Sequence, residues 1–194
     1  MTTPHGLPDS DPDSIADKAA HDSVDSDADV GELIEIPAQV APVPLTETAV
    51  NLITDARQNE RQVDCFDFVP SNYENAWSLL SSLPRARFCE WGSGMGVVTG
   101  LAAILGFDAC GIELDEALAE QSRQRLNRHK LSARILCASY FDIAEPAEVY
   151  YVYAWPGEKS DVEQLFLETA PPGARLLICY GQDDLRMMQR RPQP

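Results

Sequence analysis

Between Arg85 and Tyr180 the sequence changes its period repeatedly. Apolar runs at Arg87–Trp91, Ala109–Leu114, Ala133–Ala138, Val149–Trp155 and Arg175–Tyr180 read as strands. Stretches with helical spacing separate three pairs of them, at Val97–Leu105, Glu116–His129 and Asp161–Thr169. A chain that returns through a helix places its next strand parallel to the last. The pattern therefore predicts an α/β fold: a doubly wound, mostly parallel sheet with helices on both faces. Asp115 and Ser160 stand where helix caps belong, and Leu118 and Leu126 face inward from the second of these helices. Upstream, Thr46 caps a helix over Glu47–Glu60, with Val50 and Ile53 on one face. Asp64–Phe68 is short and aromatic. Ser71 or Asn72 then opens a helix over Tyr73–Ser82, which Pro84 stops.

The charge is uneven. The 194-residue chain has 31 acidic and 15 basic residues, a net charge of −16, and residues 1–36 hold ten of the acids against Lys18 alone. That segment has too few apolar residues to offset the entropy of ordering, so it is expected to be disordered, and Pro37, Pro42 and Pro44 predict an extended linker after it. Residues 1–44 are thus assigned to an acidic tail and Pro-rich linker, and residues 45–194 to one folded domain. A strongly acidic chain suits a phosphate backbone poorly, which makes nucleic acid an unfavoured partner. The longest apolar run, Val97–Phe107, is too short to cross a bilayer, so no membrane association is expected. The N-terminus has neither the basic and apolar regions of a secretory signal nor the arginines of a mitochondrial presequence. Five cysteines without a C-x-x-C pair suggest reduced thiols and a cytoplasmic protein. Four of them, Cys89, Cys110, Cys137 and Cys179, lie in the expected strands, as buried inert thiols would.

The chemistry is concentrated in Phe88-Cys89-Glu90-Trp91-Gly92-Ser93-Gly94-Met95-Gly96, where the first of these strands passes into a helix. Glycines there permit unusual φ angles and let a ligand lie on bare backbone. A dinucleotide-binding turn, G-x-G-x-x-G, would need glycine where Val97 stands, and Glu90 would repel a pyrophosphate. A carboxylate at that position suits a cationic ligand such as the ammonium and sulfonium of S-adenosylmethionine. The next strand ends at Glu113, 17 residues after Gly96, where an acid accepts hydrogen bonds from ribose hydroxyls.

Glu90, the Gly92–Gly96 turn and Glu113 together resemble the class I S-adenosylmethionine-dependent methyltransferase family, over roughly residues 68–181. The resemblance implies a Rossmann-like fold with S-adenosylmethionine as cofactor. Glu90, Gly92, Ser93, Gly94 and Gly96 would hold its methionine part, Glu113 its ribose and Leu114 its adenine. Ser139 stands where the family often has an Asp near the adenine amino group, with Tyr140 beside it. Phe68-Val69-Pro70-Ser71 is similar to a segment that closes over the cofactor in some small protein-lysine methyltransferases of this class. The chain has little sequence left after Tyr180, which predicts a sheet shortened at its C-terminal side.

After the fourth of these strands, methyltransferases that act on nucleobase or glutamine amino groups carry Asp/Asn-Pro-Pro-Tyr/Phe. This chain has Tyr153-Ala154-Trp155-Pro156-Gly157-Glu158 and lacks the side-chain carbonyl that orients a planar amino group. The acceptor expected is an amine on a protein or small molecule, held by Tyr153 and Trp155 through cation–π contact, with Glu158 taking its proton. Tyr140 and Asp142 are further candidates to touch it. Two other readings remain: a regulatory protein that binds S-adenosylmethionine without catalysis, and a nicotinamide oxidoreductase, against which Val97 and Glu90 argue.

Overall fold

A computed structural model describes residues 32–38, 41–59, 69–155, 157–181 and 183–191. The expected aromatic stretch Asp64–Phe68, the residues before Glu32, and Pro156 lie outside the described residues.

Twelve elements follow one another: β1 (Leu33–Ile36), α1 (Glu47–Asn59), α2 (Tyr73–Ser81), β2 (Arg87–Trp91), α3 (Val97–Ile104), β3 (Asp108–Glu113), α4 (Glu116–Arg128), β4 (Ala133–Cys137), β5 (Val149–Tyr153), α5 (Lys159–Thr169), β6 (Arg175–Gly181) and β7 (Asp184–Arg190). The strands form one sheet in the order β1-β7-β6-β5-β2-β3-β4. From β6 to β4 every pairing is parallel, and β2 lies between β3 and β5, with Trp91 opposite Ile112 on one side and Val152 on the other. The chain leaves β2 in one direction and comes back to its other side through β5. The sheet therefore switches at β2, and ligands of open α/β sheets bind at the carboxyl ends of strands flanking such a switch.

The sheet's two faces carry separate cores. On one face Leu52, Trp77, Leu80, Val98 and Leu101 of α1, α2 and α3 pack on Phe88, Ala109, Val149 and Tyr151. On the other, Val162 and Phe166 of α5 cover Cys89, Ile112, Tyr150 and Ile178. Consecutive β-strand residues thus enter opposite cores, as the two-residue period requires. Gly111 lies where α3 and its preceding turn come closest to the sheet: a Cβ there would stand 2.6 Å from Thr99 Oγ1 and 2.7 Å from Ser93 Cβ.

The sequence places the helix and strand ends within about two residues, with Thr46, Asn72 and Asp115 as caps. Several expectations need correction. Leu33–Ile36, assigned to the tail and linker, is a strand that pairs antiparallel with β7. The sheet is not shortened, because the β6–β7 hairpin extends it and β1 adds the outermost strand. The buried face of α1 is Ala49, Leu52, Ile53 and Ala56, and Val50 is exposed. Ser160 lies inside α5, whose cap position is Glu158 with no side-chain cap bond. Cys137 is exposed, unlike Cys89, Cys110 and Cys179, because β4 is an edge strand.

Candidate functional site

A cavity of about 690 Å³ opens at the carboxyl ends of β2, β3 and β5. The turn from β2 into α3 forms its floor. Gly92, Gly94 and Gly96 have φ of 72°, 51° and 71°, a left-handed series that side chains oppose. The turn bends back onto the sheet through Gly92 and Ser93, whose N–H groups both donate to the Ile112 carbonyl at 2.9 Å. Gly92, Ser93 and Gly94 line the cavity. Gly96 does not: it starts α3 with its α-carbon against α4. The Ser93 hydroxyl is buried with no hydrogen-bond partner among the described residues.

Two carboxylates flank the turn. Glu90 is 4% exposed, and its Oε2 accepts from the Thr99 N–H at 2.7 Å and the Thr99 hydroxyl at 2.5 Å. Burial pushes its carboxyl up to about 8. The Thr99 bonds oppose the rise and the nearby Glu113 charge adds to it. Glu113 ends β3, its Oε2 accepting from the Gly94 N–H at 2.6 Å and its Oε1 from the Asp115 N–H at 2.9 Å. It thereby ties the glycine turn to the first turn of α4. Beyond it Leu114 stands 72% exposed on the rim, facing the same cavity as Phe141 at 47%.

Ser139 and Tyr140 follow β4. The Ser139 hydroxyl accepts from the Phe141 N–H at 3.2 Å, which fixes the bend that turns Phe141 to the cavity. The Tyr140 ring stacks on Trp91 with centroids 5.6 Å apart and planes 8° apart, and meets Phe141 at 4.5 Å. Tyr140 is hydrogen-bonded to Glu158. Burial, with that neighbouring carboxylate, pushes its phenol up to about 12, so Tyr140 is the donor. Tyr153, Trp155 and Glu158 line the far end of the cavity. Tyr151 adds to that wall: its hydroxyl lies 3.0 Å from Cys179 Sγ and bonds the Ser71 side chain, next to Val69 and Pro70 on the rim.

Of the thirteen residues the sequence assigns to the cofactor turn, the nucleoside or the acceptor, the fold gathers eleven into one cavity, Gly96 and Asp142 being the exceptions. Phe141, Tyr73 and the helix residues Val97, Val98 and Leu118 line it without having been foreseen. Phe141, a bulky aromatic just after a strand, carried a signal; the others are indistinguishable from core residues in the sequence. The cavity holds five acidic side chains, Glu90, Glu113, Asp115, Glu116 and Glu158, and among the described residues no basic side chain lines it.

No protein-family model matches the sequence, and a search of curated proteins finds no match. Solved structures do share the fold. One is the O-methyltransferase TomG from Streptomyces achromogenes, involved in tomaymycin synthesis and solved with S-adenosylmethionine. It is 20% identical over 70% of this chain and 66% of its own, with a TM-score of 0.54. This chain thus spans 66% of that enzyme's length. A second is an O-methyltransferase from Bacillus cereus solved with S-adenosylhomocysteine, 17% identical over 70% of this chain and 67% of its own, at a TM-score of 0.54. A third is an RNA methyltransferase from Salinibacter ruber with S-adenosylhomocysteine, 18% identical over 78% of this chain and 95% of its own, at 0.50. The chain has the α/β fold of S-adenosylmethionine-dependent methyltransferases.

Proposed function

We propose that the protein is an S-adenosylmethionine-dependent methyltransferase whose acceptor is an amine on a protein or a small molecule. The charge of the cavity carries this reading. Glu113, Asp115, Glu116, Glu158 and the buried carboxyl of Glu90, with no basic side chain among the described residues, surround a backbone turn shaped to take a ligand, and the buried Ser93 hydroxyl is left for that ligand to bond. Such a site favours a ligand with a sulfonium and an ammonium, and disfavours a dinucleotide pyrophosphate or an RNA backbone.

Glu90 and the turn at Gly92, Ser93 and Gly94 would hold the methionine part. Glu113 would take the ribose hydroxyls in exchange for its bond to Gly94, while Leu114 and Phe141 bracket the base and Ser139 meets its edge. When bound, the cofactor supplies a methyl group on an already activated sulfonium, so alignment of a neutral nucleophile is the main demand on the protein. Tyr153 and Trp155 supply an aromatic wall for an ammonium. Glu158 takes a proton from that ammonium, and the Tyr140 hydroxyl orients the carboxylate that does so.

Two measurements test the proposal. Calorimetry should show S-adenosylhomocysteine binding and no NAD binding, and Glu113→Ala should weaken the former by roughly 1–3 kcal/mol through lost charge-assisted hydrogen bonds. NAD binding in place of S-adenosylhomocysteine would overturn the cofactor assignment. Incubation of cell extract with methyl-labelled cofactor should place the label on amines; label found on RNA alone would refute the acceptor class.

A further inference from the structure

We propose that Ser122 and Arg125, on α4, are positioning residues that hold the glycine turn in its ligand-binding shape from behind. The inference rests on reading that turn as the cofactor site. Neither side chain lines the cavity, yet Ser122 is fully buried and Arg125 is 2% exposed. A buried hydroxyl and a buried guanidinium are costly unless bonded. Each makes a bond to the turn: the Ser122 hydroxyl donates to the Gly94 carbonyl at 2.6 Å, and Arg125 Nη1 donates to the Met95 carbonyl at 2.7 Å.

These two carbonyls decide which way the turn's N–H groups point. A trans peptide aims its C=O and N–H in opposite directions. With the Gly94 carbonyl drawn to Ser122, the Met95 N–H faces away from α4. With the Met95 carbonyl drawn to Arg125, the Gly96 N–H closes onto the Ser93 carbonyl at 2.7 Å. The packing leaves little slack: a Cβ on Gly96 would stand 3.0 Å from Ser122 Cβ and 3.2 Å from its Oγ. Arg125 is in turn backed by α1, its Nε 3.9 Å from Asp55 Oδ2, and that carboxylate also meets Arg128 and His129 at 2.9 Å each.

The cavity side offers a third restraint, the Gly94 N–H on Glu113, but it is of another kind. Ribose hydroxyls and the Gly94 N–H would compete for the same carboxylate. The bonds from α4 have no such competitor and keep the turn in shape while the cofactor enters.

The test uses the full chain, with S-adenosylhomocysteine affinity read by calorimetry per folded molecule beside thermal melts. Ser122→Ala should raise the dissociation constant about fivefold, the worth of one hydrogen bond, with a melting temperature within a few degrees of wild type. Arg125→Met should weaken binding further, and Arg125→Lys, which keeps a donor, should recover part of that loss. Gln124→Ala, on the exposed face of α4, should bind as wild type does. A folded Ser122→Ala chain with wild-type affinity overturns the inference and leaves the cofactor reading standing. An equal loss in every variant, Gln124→Ala included, also overturns it. A wild-type chain that binds no S-adenosylhomocysteine overturns both readings. Should Arg125→Met not fold, the Ser122→Ala and Arg125→Lys affinities decide.

Discussion

Glu90 accepts two hydrogen bonds from Thr99 inside the protein, and burial still moves its carboxyl from 4.5 up to about 8. The sign of the consequence follows from proton counts. In the unfolded chain this group loses its proton near pH 4.5 and in the folded chain near pH 8, so between those values the folded state holds the extra proton. Stability from this group is greatest below pH 4.5 and declines as pH rises towards 8. Glu90→Gln removes the ionisation. It should raise the melting temperature of the ligand-free protein at pH 8, with the gain shrinking towards pH 5, while weakening binding of S-adenosylmethionine. Thermal melts of both chains across that range check it; a gain of the same size at pH 5 and pH 8 would show that charge burial is not the cause. A carboxylate costly to the empty fold yet poised for a cation is consistent with a residue retained for binding.

At the scale of elements, β5 presents Tyr151 and Tyr153 to the cavity and ends just before Trp155, which is 38% exposed. A side chain so open contributes little to the core. Trp155→Ala should therefore leave the melting temperature almost unchanged and lower methyl-transfer turnover more than tenfold, with cofactor affinity kept; paired melts, calorimetry and initial rates separate these quantities. A destabilised variant with normal turnover per folded molecule would make Trp155 a packing residue. Elements of this kind were legible in the sequence because β2, β3, β5 and β6 are apolar on both faces and read as continuous runs. The outer strands were not. β7, Asp-Leu-Arg-Met-Met-Gln-Arg, is rich in residues that favour helices, and β1 offers only Leu33, Ile34 and Ile36 in an acidic setting. Both become strands because a neighbouring strand offers its backbone. The turn and its two glutamates were legible because their chemistry is local in sequence. Ser122 and Arg125 were hidden differently: they fall on the buried stripe of α4 with Leu118, Ala119 and Leu126, where a polar residue looks like an error in the period until the carbonyls it serves are seen.

Across the whole molecule, the two ends of the described chain meet on one edge of the sheet. Leu33 pairs with Arg190, the Arg191 N–H donates to the Glu32 carbonyl at 2.8 Å, and Arg191 and Glu32 also form an ion pair. Removing residues 1–31 should leave the melting temperature unchanged, since that segment is rich in charge and poor in apolar residues. Removing residues 1–37 deletes β1 as well. Half-burying three aliphatic side chains is worth about 2–4 kcal/mol, and each kcal/mol moves the melting temperature of a chain this size by ~2–4 °C, so the longer truncation should melt roughly 4–16 °C lower. Equal melting of the two truncations would show that β1 adds nothing to the sheet. The same edge has a consequence for synthesis. Of the described strands the ribosome makes β1 first and its partner β7 last. At 5–20 residues per second β1 waits roughly 8–30 s for β7. Through that interval a short aliphatic segment has no partner, and the acids crowded around it act as gatekeepers against pairing with a neighbouring nascent chain.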